Sequence, residues 1–180
     1  MVTMEKSVYD YPIRIRFSGQ YDYDGLLELC RAFFARHRFD TQETKFKYKT
    51  GGSGSEVEFN MDGQREVTHY LKVTMNLWGK IFDMKRKPVV VDGNKRMLTN
   101  GRLDLKISGT FVLDYADKFG KTSKSMKKLE KWMQDQLDND PEGLQFYEMK
   151  QNGKKYMQKT LMAFADEIKS FLAMETMRDA

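Results

Sequence analysis

The chain has 180 residues, 31 Lys and Arg against 26 Asp and Glu, and a formal net charge of +5, with hydrophobic residues at 40%. Apolar and charged residues this well mixed argue against global disorder and for one folded domain with a heavily charged surface. Cys30 is the only cysteine, which excludes an intramolecular disulfide and a multi-cysteine metal site.

No stretch approaches the roughly 20 apolar residues that span a bilayer. The segment Met1–Ile15 alternates charged and apolar residues and does not read as a secretory signal. The expectation is a single domain over residues 1–180, soluble and cytoplasmic. Thirteen Met and twelve Phe suit either a filled core or a pliable cavity.

In chain order, Ile13, Ile15 and Phe17 alternate with Arg14, Arg16 and Ser18 and predict a strand. Asp24 is the expected cap of a helix whose apolar side holds Leu26, Leu29, Cys30, Phe33, Phe34 and His37. That helix is expected to end near Arg36–Arg38. A strand around Phe46 and Tyr48 then runs to Gly51-Gly52-Ser53-Gly54-Ser55, read as a hairpin loop. Val57, Phe59 and Met61 form the return strand, with a turn expected at Asp62-Gly63. Leu71, Val73, Met75 and Leu77 share the next apolar face, and Gly79 suggests a bulge or bend. Asp92-Gly93 and Asn100-Gly101 read as two further hairpin turns. Leu103, Leu105, Ile107, Phe111 and Leu113 follow, with Gly109 marking a kink or a close approach.

Beyond Asp114 the spacing turns helical. Met126, Leu129, Met133 and Leu137 predict a Lys-rich helix, broken at Asn139–Gly143. Leu144–Lys150 reads as helix or a short strand, with helix favoured. Met157, Leu161, Phe164, Ile168 and Phe171 predict a long C-terminal helix over about Tyr156–Met174. The expected fold is α+β: a curved antiparallel sheet of about six to seven strands packed around that helix. Hairpin connections this short exclude a parallel doubly wound sheet.

This order of one strand, one helix, a meander and a long C-terminal helix resembles the helix-grip fold of the START-like superfamily. The resemblance lies in element order and not in any motif. It implies a sheet gripping the last helix, with a lipid or another apolar molecule held between them. No site residue carries over from it.

The residues themselves support two binding readings better than catalysis. In the first, Val73, Met75, Leu105, Ile107 and Phe111 face Met157, Leu161, Phe164 and Ile168 across an apolar cavity for a hydrophobic small molecule. In the second, Lys85, Arg86, Lys87, Lys95 and Arg96 join Lys124, Lys127, Lys128 and Lys131 to dock an anionic partner. An acidic membrane surface or acidic protein is preferred there over nucleic acid, because no aromatic residues interleave with these cations. His37 and His69 lack a positioned partner in sequence, and Cys30 sits on an apolar helix side. No catalytic residue, cofactor or metal is assigned. An enzyme is the least favoured class.

Overall fold

Alternation of period two runs unbroken through the middle of the chain, burying Leu71, Val73, Met75, Leu77 and Ile81 on one strand. Leu103, Leu105, Ile107 and Phe111 do the same on the next. Buried side chains of this size each contribute about 1.5–3 kcal/mol, so these two strands anchor the core. The computed structural model describes residues 4–51, 54–67, 71–91, 94–113 and 145–173. Its elements are β1 (Met4–Ser7), β2 (Ile13–Tyr21), α1 (Tyr23–Arg36), β3 (Asp40–Gly51), β4 (Gly54–Glu66), β5 (Leu71–Val91), β6 (Asn94–Leu113) and α2 (Gln145–Phe171).

The strands form one antiparallel sheet in the order β1-β6-β5-β4-β3, with β2 also paired to β6. β1 and β2 follow one another along the same side of β6, Met4 opposite Leu113 and Ile13 opposite Ile107. The sheet is therefore only five strands wide. Both described helices lie on its apolar face, and they touch each other: the Phe164 ring of α2 sits 4.5 Å from Phe33 and 5.6 Å from Phe34 of α1. The expected curved sheet of six to seven strands gripping one long helix is thus corrected to a narrower sheet carrying two packed helices. The physical reason is strand length. β5 has 21 residues and β6 has 20, far beyond the usual five or six, so each was divided into several shorter strands.

Misread glycines made those divisions. Asp62-Gly63 is no turn but the interior of β4, where Gly63 pairs with Thr41 and Met75. A Cβ at Gly63 would lie 2.3 Å from the Phe34 ring; the glycine is there so that α1 can lay an aromatic ring on the strand. Gly79 is likewise in register, its missing side chain replaced by the Phe59 ring. The actual bulge falls between Phe82 and Lys85, with Asp83 at φ 54°. Asn100-Gly101 is interior to β6, paired with Gln20 and Gly19. The true connection after β4 lies beyond Glu66, closed by Val67 N–H donating to the Leu71 carbonyl at 2.9 Å.

Gly63→Ala is expected to destabilise the protein by about 1–3 kcal/mol through overpacking against Phe34. A urea midpoint indistinguishable from the parent would show that the ring has room to move.

Elsewhere the reading stands or shifts by a turn. Asp22, not Asp24, caps α1, accepting from the Gly25 N–H at 2.9 Å. The helix ends at Arg36 as expected. Arg38 at φ 58° then turns the chain, and Phe39 N–H reaches back to the Phe34 carbonyl at 2.9 Å. The hairpin at Gly51–Ser55 is tight, Gly51 pairing with Gly54. Asp92-Gly93 lies outside the described residues, while the flanking Val91 and Asn94 pair directly. Of Leu144–Lys150, residues 145–150 are helical, belonging to α2. The Lys-rich helix expected around Met126–Leu137 lies outside the described residues.

Candidate functional site

The nine residues expected to line an apolar cavity do come together. Val73, Leu105, Ile107, Met157, Leu161, Phe164 and Ile168 are 0% exposed, and Met75 and Phe111 are 1% exposed. They meet each other directly. A Cβ placed on Gly109 would lie 2.8 Å from the Met157 methyl and 3.0 Å from a Leu161 methyl, so α2 rests on the strand itself. That contact is what the glycine was expected to mark, and it leaves no space for a ligand at this crossing.

The basic residues separate. Beyond the bulge, Lys85 pairs with Asn100, Arg86 with Thr99 and Lys87 with Leu98. Thr99 is fully buried beneath the helices, so Arg86 projects to the helix side, where it meets Asp24 at 2.8 Å. Lys85 and Lys87 project to the opposite side and are exposed. Arg96 pairs with Val89 and Lys95 with Val90 along the backbone. Lys85, Arg86 and Lys87 therefore do not share one face of the sheet. Lys124, Lys127, Lys128 and Lys131, like His69, lie outside the described residues.

What the fold assembles instead is the second face of the sheet, which no described element covers. Register builds it row by row. Arg16, Asp104, Lys80, Glu58 and Lys47 lie side by side across five strands, with charge alternating at every step. The adjacent row runs Arg14, Lys106, Trp78, Asn60 and Lys45. Cations therefore surround two half-buried aromatic rings. Lys106 Nζ lies 4.7 Å from the Trp78 ring, while Lys80 Nζ at 4.4 Å and the Arg102 guanidinium at 5.5 Å flank Phe82. Trp78 is also fixed by its indole N–H, which donates to Glu58 at 3.1 Å.

Ion pairs hold Asp104 and Glu58 in the charged form. The Arg14 hydrogen bond, more than its charge, lowers the Asp104 pKa, against the opposing effect of burial. Glu58 is lowered first by Lys45, at 2.5 Å, and then by the Trp78 indole. Such exposed pairs contribute little stability. Their role is to fix long side chains in position.

Beside the Trp78 row the face dips into a polar trough of about 400 Å³ lined by Gln42, Thr44, Asp62, Thr74, Asn76, Ser108 and others. Thr44 donates to Asp62 at 2.8 Å, and Asn60 donates to Asp62 at 3.0 Å. Asn76 donates to Asn60 at 2.9 Å and also to Asp62. Amides and hydroxyls of the trough thus form a connected set around the Asp62 carboxylate, and Asp40 is a second carboxylate in its lining. Its donors and acceptors can read the edge of a polar ligand, yet its carboxylates are too few for a cation cage. Among the described residues, no group of three or more His, Cys, Asp and Glu is arranged to hold a metal ion.

Cys30 is 0% exposed, and burial pushes its thiol pKa up to about 12. His37 stacks 4.3 Å from Phe33, its pKa lowered first by burial and then by Arg36. Cys30 is expected to resist iodoacetamide in the native protein and to react within minutes in denaturant. Rapid native labelling would show that α1 opens readily. Among the described residues, no helix is long and apolar enough to cross a membrane.

Sequence reading passed over Arg14, Arg16, Trp78, Lys80, Phe82, Arg102 and Lys106. The signal was present as the polar parity of each strand, but only register shows that these residues are neighbours. No family model matches the chain, and no curated protein matches it.

Proposed function

We propose that the protein is a binding module for single-stranded nucleic acid, using the face of its sheet that no described helix covers. The observation that carries this reading is the interleaving of Trp78 and Phe82 with Lys80, Arg102 and Lys106. Platforms for single strands combine cations that follow the phosphates with aromatic faces on which bases stack. On the half of the face built by β2, β6 and β5, Arg14, Arg16, Lys80, Lys85, Lys87, Arg102 and Lys106 outnumber Asp83 and Asp104. The neighbouring trough offers amides and hydroxyls to base edges, a chemistry that an anionic membrane would not use. An enclosed apolar ligand has less support, because α2 packs straight onto β6 at Gly109.

The test is fluorescence anisotropy with a labelled single strand of about 12 nucleotides, within the usual site size. The matching duplex and anionic vesicles serve as competitors. The single strand is expected to bind best, with log affinity falling linearly in log salt by about 0.7 per phosphate contacted. Trp78→Ala is expected to weaken it by roughly tenfold, the value of one lost stack. Equal preference for duplex or vesicles, or an unaffected Trp78→Ala variant, would remove the reading.

A further inference from the structure

Three buried side-chain hydroxyls among the described residues have no hydrogen-bond partner in the protein: Tyr21, Tyr23 and Thr99. They are neighbours. Tyr21 pairs with Thr99 across β2 and β6, and Thr99 pairs with Arg86 across β6 and β5. The Arg86 guanidinium lies 5.3 Å from the centre of the Tyr23 ring. Buried polar groups are nearly always satisfied, so a cluster of three beside a cation is unusual.

Tyr23 lines a pocket of about 290 Å³ on the helix side of the sheet, together with Phe46, Tyr48, Ser55 and Arg86. Two walls are aromatic rings left open to solvent, Phe46 at 62% and Tyr48 at 59% exposure. Their partners Phe59 and Val57 show that both project to the same face of β3. Residues two apart on a strand are separated by roughly 6.7 Å. That is about twice the roughly 3.4 Å stacking distance of bases, so one planar ring fits between them. Tyr48 and Ser55 hydroxyls lie 2.7 Å apart at the rim. Asp24 takes one Arg86 N–H at 2.8 Å, while a guanidinium has five donors in a fork suited to phosphate.

We propose that this pocket binds a single nucleotide unit, its base between Phe46 and Tyr48 and its phosphate on Arg86. The volume lies at the small end of ligand sites, which suits one nucleotide and not two. The unit can come from a free nucleoside monophosphate or from the 5′ end of a strand. The assignment stands apart from the open face, which lies on the other side of the sheet.

Calorimetric titration of the full chain with adenosine 5′-monophosphate, adenosine and inorganic phosphate tests it. The monophosphate is expected to bind at least about tenfold more tightly than either fragment, since stacking and charge act together. Phe46→Ala and Tyr48→Ala, both at exposed positions, are each expected to weaken it by about fivefold or more. Arg86→Gln is expected to weaken the monophosphate and leave adenosine unchanged, whereas a purely structural guanidinium would alter only the melting temperature. Trp78→Ala is expected to leave this binding intact. A 5′-phosphorylated trinucleotide that binds more tightly, with the same variant losses, would assign the pocket to strand ends; equal affinity would assign it to free nucleotides. Absence of monophosphate binding at millimolar concentration, or binding indifferent to Phe46→Ala and Tyr48→Ala, would overturn the proposal.

Discussion

Phe164→Ala is expected to be among the most destabilising single changes in the protein, at about 3–5 kcal/mol. The ring is 0% exposed and stands where three elements meet. It packs against Phe33 and Phe34 of α1 at 4.5 and 5.6 Å, while α2 itself rests on β6 at Gly109. The cavity left by an alanine would be bounded by a helix on one side and a sheet on the other. Arg36 of α1 and Glu167 of α2 also pair across this junction. For a chain of this size each kcal/mol lowers the melting temperature by roughly 2–4 °C, so calorimetry should find a drop near 10 °C. A drop of only a few degrees would mean that the two helices repack independently of each other.

Reversing Lys80 and Lys106 together to Glu is expected to reduce affinity for a single strand by at least about a hundredfold at low salt. The same change should flatten the salt dependence by roughly 1.4 logarithmic units per unit of log salt, as two phosphate contacts disappear. Lys106 covers the Trp78 ring, and Lys80 covers the Phe82 ring. The double variant therefore places carboxylates where a phosphate would sit, in a stretch already holding Glu56 and Glu58. The sites are on the uncovered face, so the fold should survive, which circular dichroism can check. Lys154 and Lys155 are exposed on α2, away from that face, and their reversal should change affinity far less. Equal losses for the two pairs would mean that only net charge matters and that no defined surface is involved.

The strengths and failures of the sequence reading have one physical root. Parity along a strand is local, and it placed Leu71 to Leu77 and Leu103 to Phe111 correctly on a buried face. Glycine is ambiguous. Gly63, Gly79 and Gly101 carry the same letter as a turn, yet two of them mark where Phe34 and Phe59 lie against the sheet. Reading them as turns or bends cut long strands into short ones and made the sheet too wide. The cavity residues were found because core residues announce themselves by period, and period is equally strong for a filled core. The open face stayed hidden for the opposite reason. Arg16, Asp104, Lys80 and Glu58 are unremarkable in four separate segments, and become a row only through pairing. Arg86 shows the cost of ignoring a bulge: one irregularity between Phe82 and Lys85 decides which side of the sheet each following cation reaches.

The way β6 receives its partners sets an order of assembly. β5 and β6 can zip together from the paired Val91 and Asn94 outward. β2 has no such advantage, because Arg14 and Asp104 are 90 positions apart in the chain. During synthesis β2 emerges well before β6, so Ile15 stays without its partner strand until β6 has left the ribosome. Closing so long a loop is slow. The N-terminal third is thus the interval of greatest exposure to chaperones and to aggregation. In the finished protein the same edge should be where native opening begins, and where backbone amides exchange soonest.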